Sequence, residues 1–168
     1  EGFFLDEFIN CVDIEYSENI DAEGVFFFDS NVSSLEKLVI HVNSSYKAVD
    51  DLTTAILLVH ELTHANQYIN YLYNNEPQDC IDQEVDAFYA QYIFVRTLND
   101  EERSSILTRL YVYPGVNNQI QIIKDLGPIN ARAESLCSTN IDCYIDNFKK
   151  GIKKWVESNP YYQEQCDL

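Results

Sequence analysis

The stretch from Asp51 to Asn75, DLTTAILLVHELTHANQYINYLYNN, decides how this chain folds. Leu52, Ile56, Val59, Leu62, Ile69 and Leu72 recur at the spacing of an α-helix. Around its middle, Ile56-Leu57-Leu58-Val59 is apolar on every side, as expected of a helix at the centre of a domain. Asp50 or Asp51 can cap its start. The helix fades near Asn74-Asn75, and Pro77 bars its continuation. The rest of the chain has to pack around this element.

Upstream, Phe4, Leu5, Phe8, Ile9 and Val12 have helical spacing and predict a short amphipathic helix. Two β-like runs follow, Gly24–Phe28 and Leu38–Val42, separated by the turn-prone residues Ser30, Asn31, Ser33 and Ser34. Downstream, a second helix runs from about Asp79 to Leu98, with Ile81, Val85, Phe88 and Val95 on one face. The remainder reads mostly as helix, with turns at Pro114-Gly115 and Gly127-Pro128. Ile145, Phe148, Ile152 and Trp155 form a late stripe, with Lys149, Lys150, Lys153 and Lys154 as a solvated opposite side. The expectation is a helix-rich α+β fold in one domain spanning residues 1–168. A small N-terminal sheet packs on a pair of central helices, and further helices follow towards the C-terminus.

The 168 residues are 46% hydrophobic and 13% aromatic, enough for one real core. Eleven Lys and Arg against 28 Asp and Glu leave a net charge of −17, which disfavours phosphate backbones and anionic lipid surfaces as partners. No apolar run reaches the roughly 18 residues of a membrane span. Nucleic acid and membrane are therefore not expected partners, and nothing in the sequence fixes an oligomeric state. The chain begins at Glu1 and has no Met, as a processed chain would. Of five cysteines, Cys137 and Cys143 are close enough to close a small disulfide loop, and the odd count leaves at least one thiol over. That usage leans towards a secreted or extracytoplasmic setting.

Within the long helix, His60-Glu61-Leu62-Thr63-His64 is an H-E-x-x-H motif. Four residues advance a helix by little more than a turn, so both imidazoles project from one face and can share an ion. Glu61 can then reach a water on that ion without filling its coordination shell. A catalytic zinc needs three protein ligands and one open position. On the second helix, Glu84 faces the same side as Ile81 and Phe88 and is the best third ligand, with Asp82, Asp86 and Cys80 as neighbouring alternatives.

The string His60-Glu61-Leu62-Thr63-His64-Ala65, with Glu84 twenty positions after His64, resembles the zinc site of gluzincin-type metallopeptidases, the thermolysin-like enzymes in particular. The resemblance covers about residues 36–90 and is that of a minimal core. It implies Zn2+ held by His60, His64 and Glu84, Glu61 as general base, and a peptide or protein substrate. It also implies that Leu38–Val42 is the edge strand beside an extended substrate, where His41 would face solvent. Thermolysin-like enzymes carry an aspartate four residues after the glutamate ligand, but here that position is Phe88. Support for a zinc histidine is then expected elsewhere, with Asp86 a candidate. They also use a downstream histidine as transition-state donor, and none follows His64. A tyrosine is the natural substitute, with Tyr89, Tyr92, Tyr111 and Tyr113 as candidates. Zinc-dependent peptide-bond hydrolysis is the expected activity; the alternative is an inactive zinc-binding interaction or regulatory domain. Cys11 or the N-terminal helix is a conceivable inhibitory cover on the metal.

Overall fold

The computed structural model describes residues 12–27, 38–74, 78–112 and 118–167. Strands β1 (Val12–Ser17), β2 (Gly24–Phe27) and β3 (Leu38–Asn43) form one sheet in the order β1-β3-β2. β3 pairs with β1 in parallel and with β2 antiparallel. It is therefore the middle strand, not the expected edge. β1 was not expected from the helical spacing upstream: Val12 begins a strand, and Phe4, Leu5, Phe8, Ile9 and Cys11 lie outside the described residues. The Val12-Ile14-Tyr16 alternation was its signal. β3 alternates as a half-buried strand should, placing Leu38, Ile40 and Val42 in the core and Val39 and His41 on the other face.

A short 3-10 turn over Ser44–Ala48 leads into α1 (Asp51–Asn74). Asp50 caps this helix, its carboxylate accepting Thr53 N–H at 2.8 Å and Arg109 Nε–H at 2.9 Å. Ile40, Val42, Tyr46 and Leu57 join the sheet to one side of α1. α2 (Cys80–Thr97) starts at Asp79, which caps Ile81 N–H, and ends at Leu98. It runs antiparallel to α1: Gln91 Nε2 donates to Ile56 C=O at 2.9 Å, while Glu84 meets His64 further along. Leu72, read as part of the α1 stripe, is exposed. The buried face runs instead through Thr53, Ile56, Leu57, His60, Glu61 and Tyr68, so the motif lies on the core side.

Helices α3 (Asp100–Ile106) and α4 (Arg109–Val112) lead to α5 (Asn118–Cys137), α6 (Ile141–Ser158) and α7 (Pro160–Gln165). The turn expected at Gly127-Pro128 is absent, because α5 runs straight through both residues. Pro128 removes one backbone hydrogen bond, an interior cost of about 3 kcal/mol. Burial of Ile120, Ile123, Leu126 and Ala133 on either side of it outweighs that cost. Pro114-Gly115 lies outside the described residues. Gly151 lets α6 close onto α5, since a Cβ there would collide with Ile129. Phe88 of α2, Leu126 of α5 and Phe148 and Ile152 of α6 share one core, with Tyr162 of α7 against it.

The lysine face of α6 is not wholly solvated. Lys149 pairs with Asp86 at 2.7 Å and Lys153 with Asp82 at 2.6 Å, bridging α6 to α2, while Lys150 and Lys154 are exposed. Cys137–Cys143 forms the short disulfide loop expected, and a second bridge, Cys80–Cys166, ties the first residue of α2 to the end of α7. Among the described residues no helix is long and apolar enough to cross a membrane. The Asp50 cap makes one direct expectation. Asp50→Ala should lower the unfolding free energy by about 1–2 kcal/mol, read as a lower urea midpoint at unchanged slope.

Candidate metal centre

α1 and α2 face each other over His60, His64 and Glu84, and these three side chains converge. The two Nε2 atoms lie 3.1 Å apart, His60 Nε2 is 3.4 Å from Glu84 Oε2, and His64 Nε2 is 3.5 Å from Glu84 Oε1. Ligands about 2.0–2.1 Å from a tetrahedral ion sit about 3.4 Å from one another, so the donors already have the spacing of a shared ion. Glu84 is 4% exposed, and its Oε2 makes no hydrogen bond among the described residues. Its contact with the His60 ring is 3.4 Å long, and a cation shared between the two would satisfy both more fully. The three residues can hold a metal ion. The three residues singled out in the sequence come together here, and Glu84 rather than Asp82, Asp86 or Cys80 completes the cluster. Asp82 and Asp86 are engaged by lysines, and Cys80 is in a disulfide.

The tautomer of His64 follows from its neighbours. Gln67 Nε2 donates to Gln83 C=O at 2.9 Å, which turns Gln67 Oε1 towards His64 Nδ1, also at 2.9 Å. An amide oxygen only accepts, so Nδ1 carries the proton and Nε2 keeps its lone pair for an ion. Gln67 thus has the supporting role considered for Asp86. Its signal was in the sequence, three residues after His64 on the same helix face. His60 Nδ1 has no such partner and rests beside the Phe88 ring, with ring centroids 4.6 Å apart.

Charge around these donors is balanced by proximity. Burial opposes a charged His60 ring, but the Glu84 carboxylate outweighs it and raises the ring's pKa. Burial and the neighbouring His60 charge lower that of His64. Glu84 is held below the usual carboxylate range because the bond to His60 and both rings overcome its burial. Glu61 lies outside the triad, 5% exposed; burial drives its pKa up to about 7, against the opposing pull of His60 and of a hydrogen bond from Phe26 N–H. Gly24, two residues before Phe26, lies directly on this carboxylate. A Cβ there would meet Glu61 Oε1 and Leu57 Cδ1 at 2.9 Å.

The triad and Glu61 open into a cleft of about 790 Å³ between β2, α1, α5 and α7. Compared with known proteins, the chain matches no family model, no curated protein and no solved structure. What the site can do is therefore argued from its own geometry.

Of the tyrosines singled out from sequence, Tyr89 and Tyr92 do not line the cleft. Tyr89 and Tyr92 pack on Phe148, and the Tyr111 side chain and Tyr113 lie outside what is described. The cleft tyrosines near the triad are Tyr161 and Tyr162 of α7, a helix whose role had no signal in the sequence. Gln165 of α7 donates to Glu84 Oε1 at 3.5 Å. Tyr161 is one helical turn before Gln165 and so projects to the same side. Burial, then Glu84 and Glu61, raise its pKa, which keeps the hydroxyl protonated. His41 lies on the central strand against Phe27 and does not line the cleft.

Removing Glu84 should abolish tight metal binding. Glu84→Ala is expected to lose at least tenfold in metal affinity, measured by competition with a chelator. Affinity in the native chain should also fall with pH from above the ordinary histidine range, because a proton on His60 competes with the ion.

Proposed function

We propose that the chain is a zinc-dependent peptidase of the gluzincin type, acting on peptide or protein substrates. The observation that carries this reading is the buried His60–His64–Glu84 triangle with Glu61 beside it, open to a cleft along an edge of β2 that no described strand pairs with. Two imidazoles and one carboxylate suit zinc, which would supply Lewis-acid polarisation of the scissile carbonyl and a more acidic water.

Glu61 takes the proton of the attacking water and returns it to the leaving amine. Burial raises the proton affinity of this carboxylate, which suits it to taking up and returning a proton. Phe26 N–H fixes its orientation, and Gly24 leaves it room. Tyr161 donates a hydrogen bond to the oxygen on which charge develops. The substrate strand lies along β2, not along Leu38–Val42. Glu23 C=O bonds Asn43 N–H within the sheet, so Gly24 and Phe26 present their backbone groups on the opposite, open edge. With Phe26 N–H used on Glu61, Gly24 N–H and C=O and Phe26 C=O are left to pair with an extended peptide.

His60 Nδ1, which has no hydrogen-bonding partner among the described residues, favours a second reading, a metal-binding module that does not cleave. A zinc-loaded chain that cleaves no denatured protein would support it. The peptidase reading expects Glu61→Gln to keep its zinc and lose at least 10³-fold in kcat. Tyr161→Phe should lose about 10²-fold in kcat with little change in KM. The rate should rise with pH along an acid limb centred below about 7, since a bound dication pulls Glu61 down from its metal-free value. Full turnover by Glu61→Gln would exclude the mechanism.

A further inference from the structure

We propose that the Cys80–Cys166 disulfide is a redox latch on the cleft: oxidised, it holds α7 beside the metal centre, and its reduction by a dithiol releases the helix and lowers turnover. The inference rests on the peptidase reading for the activity under control. The latch itself rests on how α7 is attached.

α7 has six residues, too few to persist as a helix without support from the rest of the fold. It leaves α6 at a corner one residue wide, where Asn159 ends one helix and caps the next. Tyr162 is buried edge-on against Phe88 and lies beside Trp155. Gln165 reaches Glu84 Oε1 at 3.5 Å, the limit of a hydrogen bond. Gln163 donates to Glu157 C=O, which belongs to the preceding helix. Among the described residues no ion pair holds α7. The far end of the helix is instead fixed covalently, by Cys166 at its C-cap to Cys80, 86 positions earlier. Cys80 stands one turn before Glu84, so the bond ties α7 to the helix that carries the third candidate ligand.

The division of labour between elements makes this bond a latch. Tyr161, Tyr162 and Gln165 of α7 line the cleft, whereas His60, His64 and Glu84 stand on α1 and α2. An opened α7 would take Tyr161, the oxyanion donor of the proposed mechanism, away from the substrate and leave the three metal donors in place. Cys137–Cys143 has no such consequence. It closes a short loop between α5 and α6, and neither residue lines the cleft.

Cys80 and Cys166 are both partly exposed, so a dithiol can reach their sulfurs. One thiolate of the dithiol attacks a bridge sulfur and its second thiol resolves the mixed disulfide. Two electrons and two protons pass to the chain, which gains two thiols, and the donor leaves as a disulfide. The same chain is then a weak peptidase in reducing surroundings and a full one where the bridge can form.

The test uses the full zinc-loaded chain, oxidised or reduced with dithiothreitol that is then removed under inert gas. Thiol titration confirms that the bridge is open, and metal analysis follows zinc. Reduction should lower kcat by about 10²-fold, the loss expected of Tyr161→Phe, with zinc retained. Reducing Tyr161→Phe should cost no more than about twofold further, since both changes remove one interaction. Cys137→Ser/Cys143→Ser should respond to reduction in full, while Cys80→Ser/Cys166→Ser should begin low and not respond. Independently of turnover, reduction should shift the emission of Trp155, the single tryptophan, to longer wavelength and speed amide exchange across α7 but not across α1 and α2. If these two signals move while the oxidised chain cuts no peptide, the peptidase reading fails and the latch stands. An open bridge with unmoved Trp155 emission and α7 exchange, loss of zinc on reduction, or unchanged turnover of an active chain would overturn the proposal.

Discussion

A single buried carboxylate facing two imidazoles organises this molecule. Glu84 comes from α2 and the histidines from α1, so the contact can exist only if the helices lie antiparallel and in register. Gln91, on the same helix, holds that register one turn before His60 by bonding Ile56 C=O. Polar groups this deep in an apolar interface cost stability unless they are satisfied. In this structure they are satisfied mainly by one another, with His60 Nε2 3.4 Å from Glu84 Oε2. The three donors together could hold a metal ion.

The remaining elements serve that pair of helices from three sides. β2 is laid against α1 so closely that a Cβ at position 24 would push on the ends of the Glu61 and Leu57 side chains, and the strand is thereby brought beside Glu61. Glu23 then ties the strand to α5. From the third side α7 closes the site, held by the Cys80–Cys166 bridge and by an edge-to-face contact of Tyr162 with Phe88, centroids 5.3 Å apart. Cys80 precedes Glu84 by one turn of α2, so the bridge anchors α7 close to the third ligand. The same Phe88 ring packs on His60, which links the His60–His64–Glu84 cluster to the C-terminal core.

The core of this arrangement was legible in the sequence because helical period and metal-ligand spacing are local. The Asp51–Asn74 helix and its H-E-x-x-H face follow from positions within one or two turns of each other, and Glu84, twenty positions after His64, from the face it shares with Ile81 and Phe88 on the following helix. The sheet order was not legible. β3 has the alternation of any half-buried strand, and nothing in Leu38–Val42 says whether one or two neighbours pair with it. Gly127-Pro128 misled for the opposite reason, because a strong local signal was overridden by burial on both sides of it. The support of His64 went to Gln67 because Lys149 draws Asp86 away from the site, a contact between residues 63 positions apart. Tyr161 and Gln165 were out of reach as well. Their place depends on a disulfide spanning 86 residues, and connectivity of that kind cannot be read from cysteine positions.

The most direct measurement is X-ray absorption at the zinc edge on the full chain loaded with one equivalent of zinc. The geometry predicts a four-coordinate ion with a nitrogen and oxygen shell near 2.0–2.1 Å, the multiple scattering of two imidazoles, and no sulfur. A sulfur neighbour near 2.3 Å, or a spectrum with no imidazole scattering, would contradict a site made of His60, His64 and Glu84.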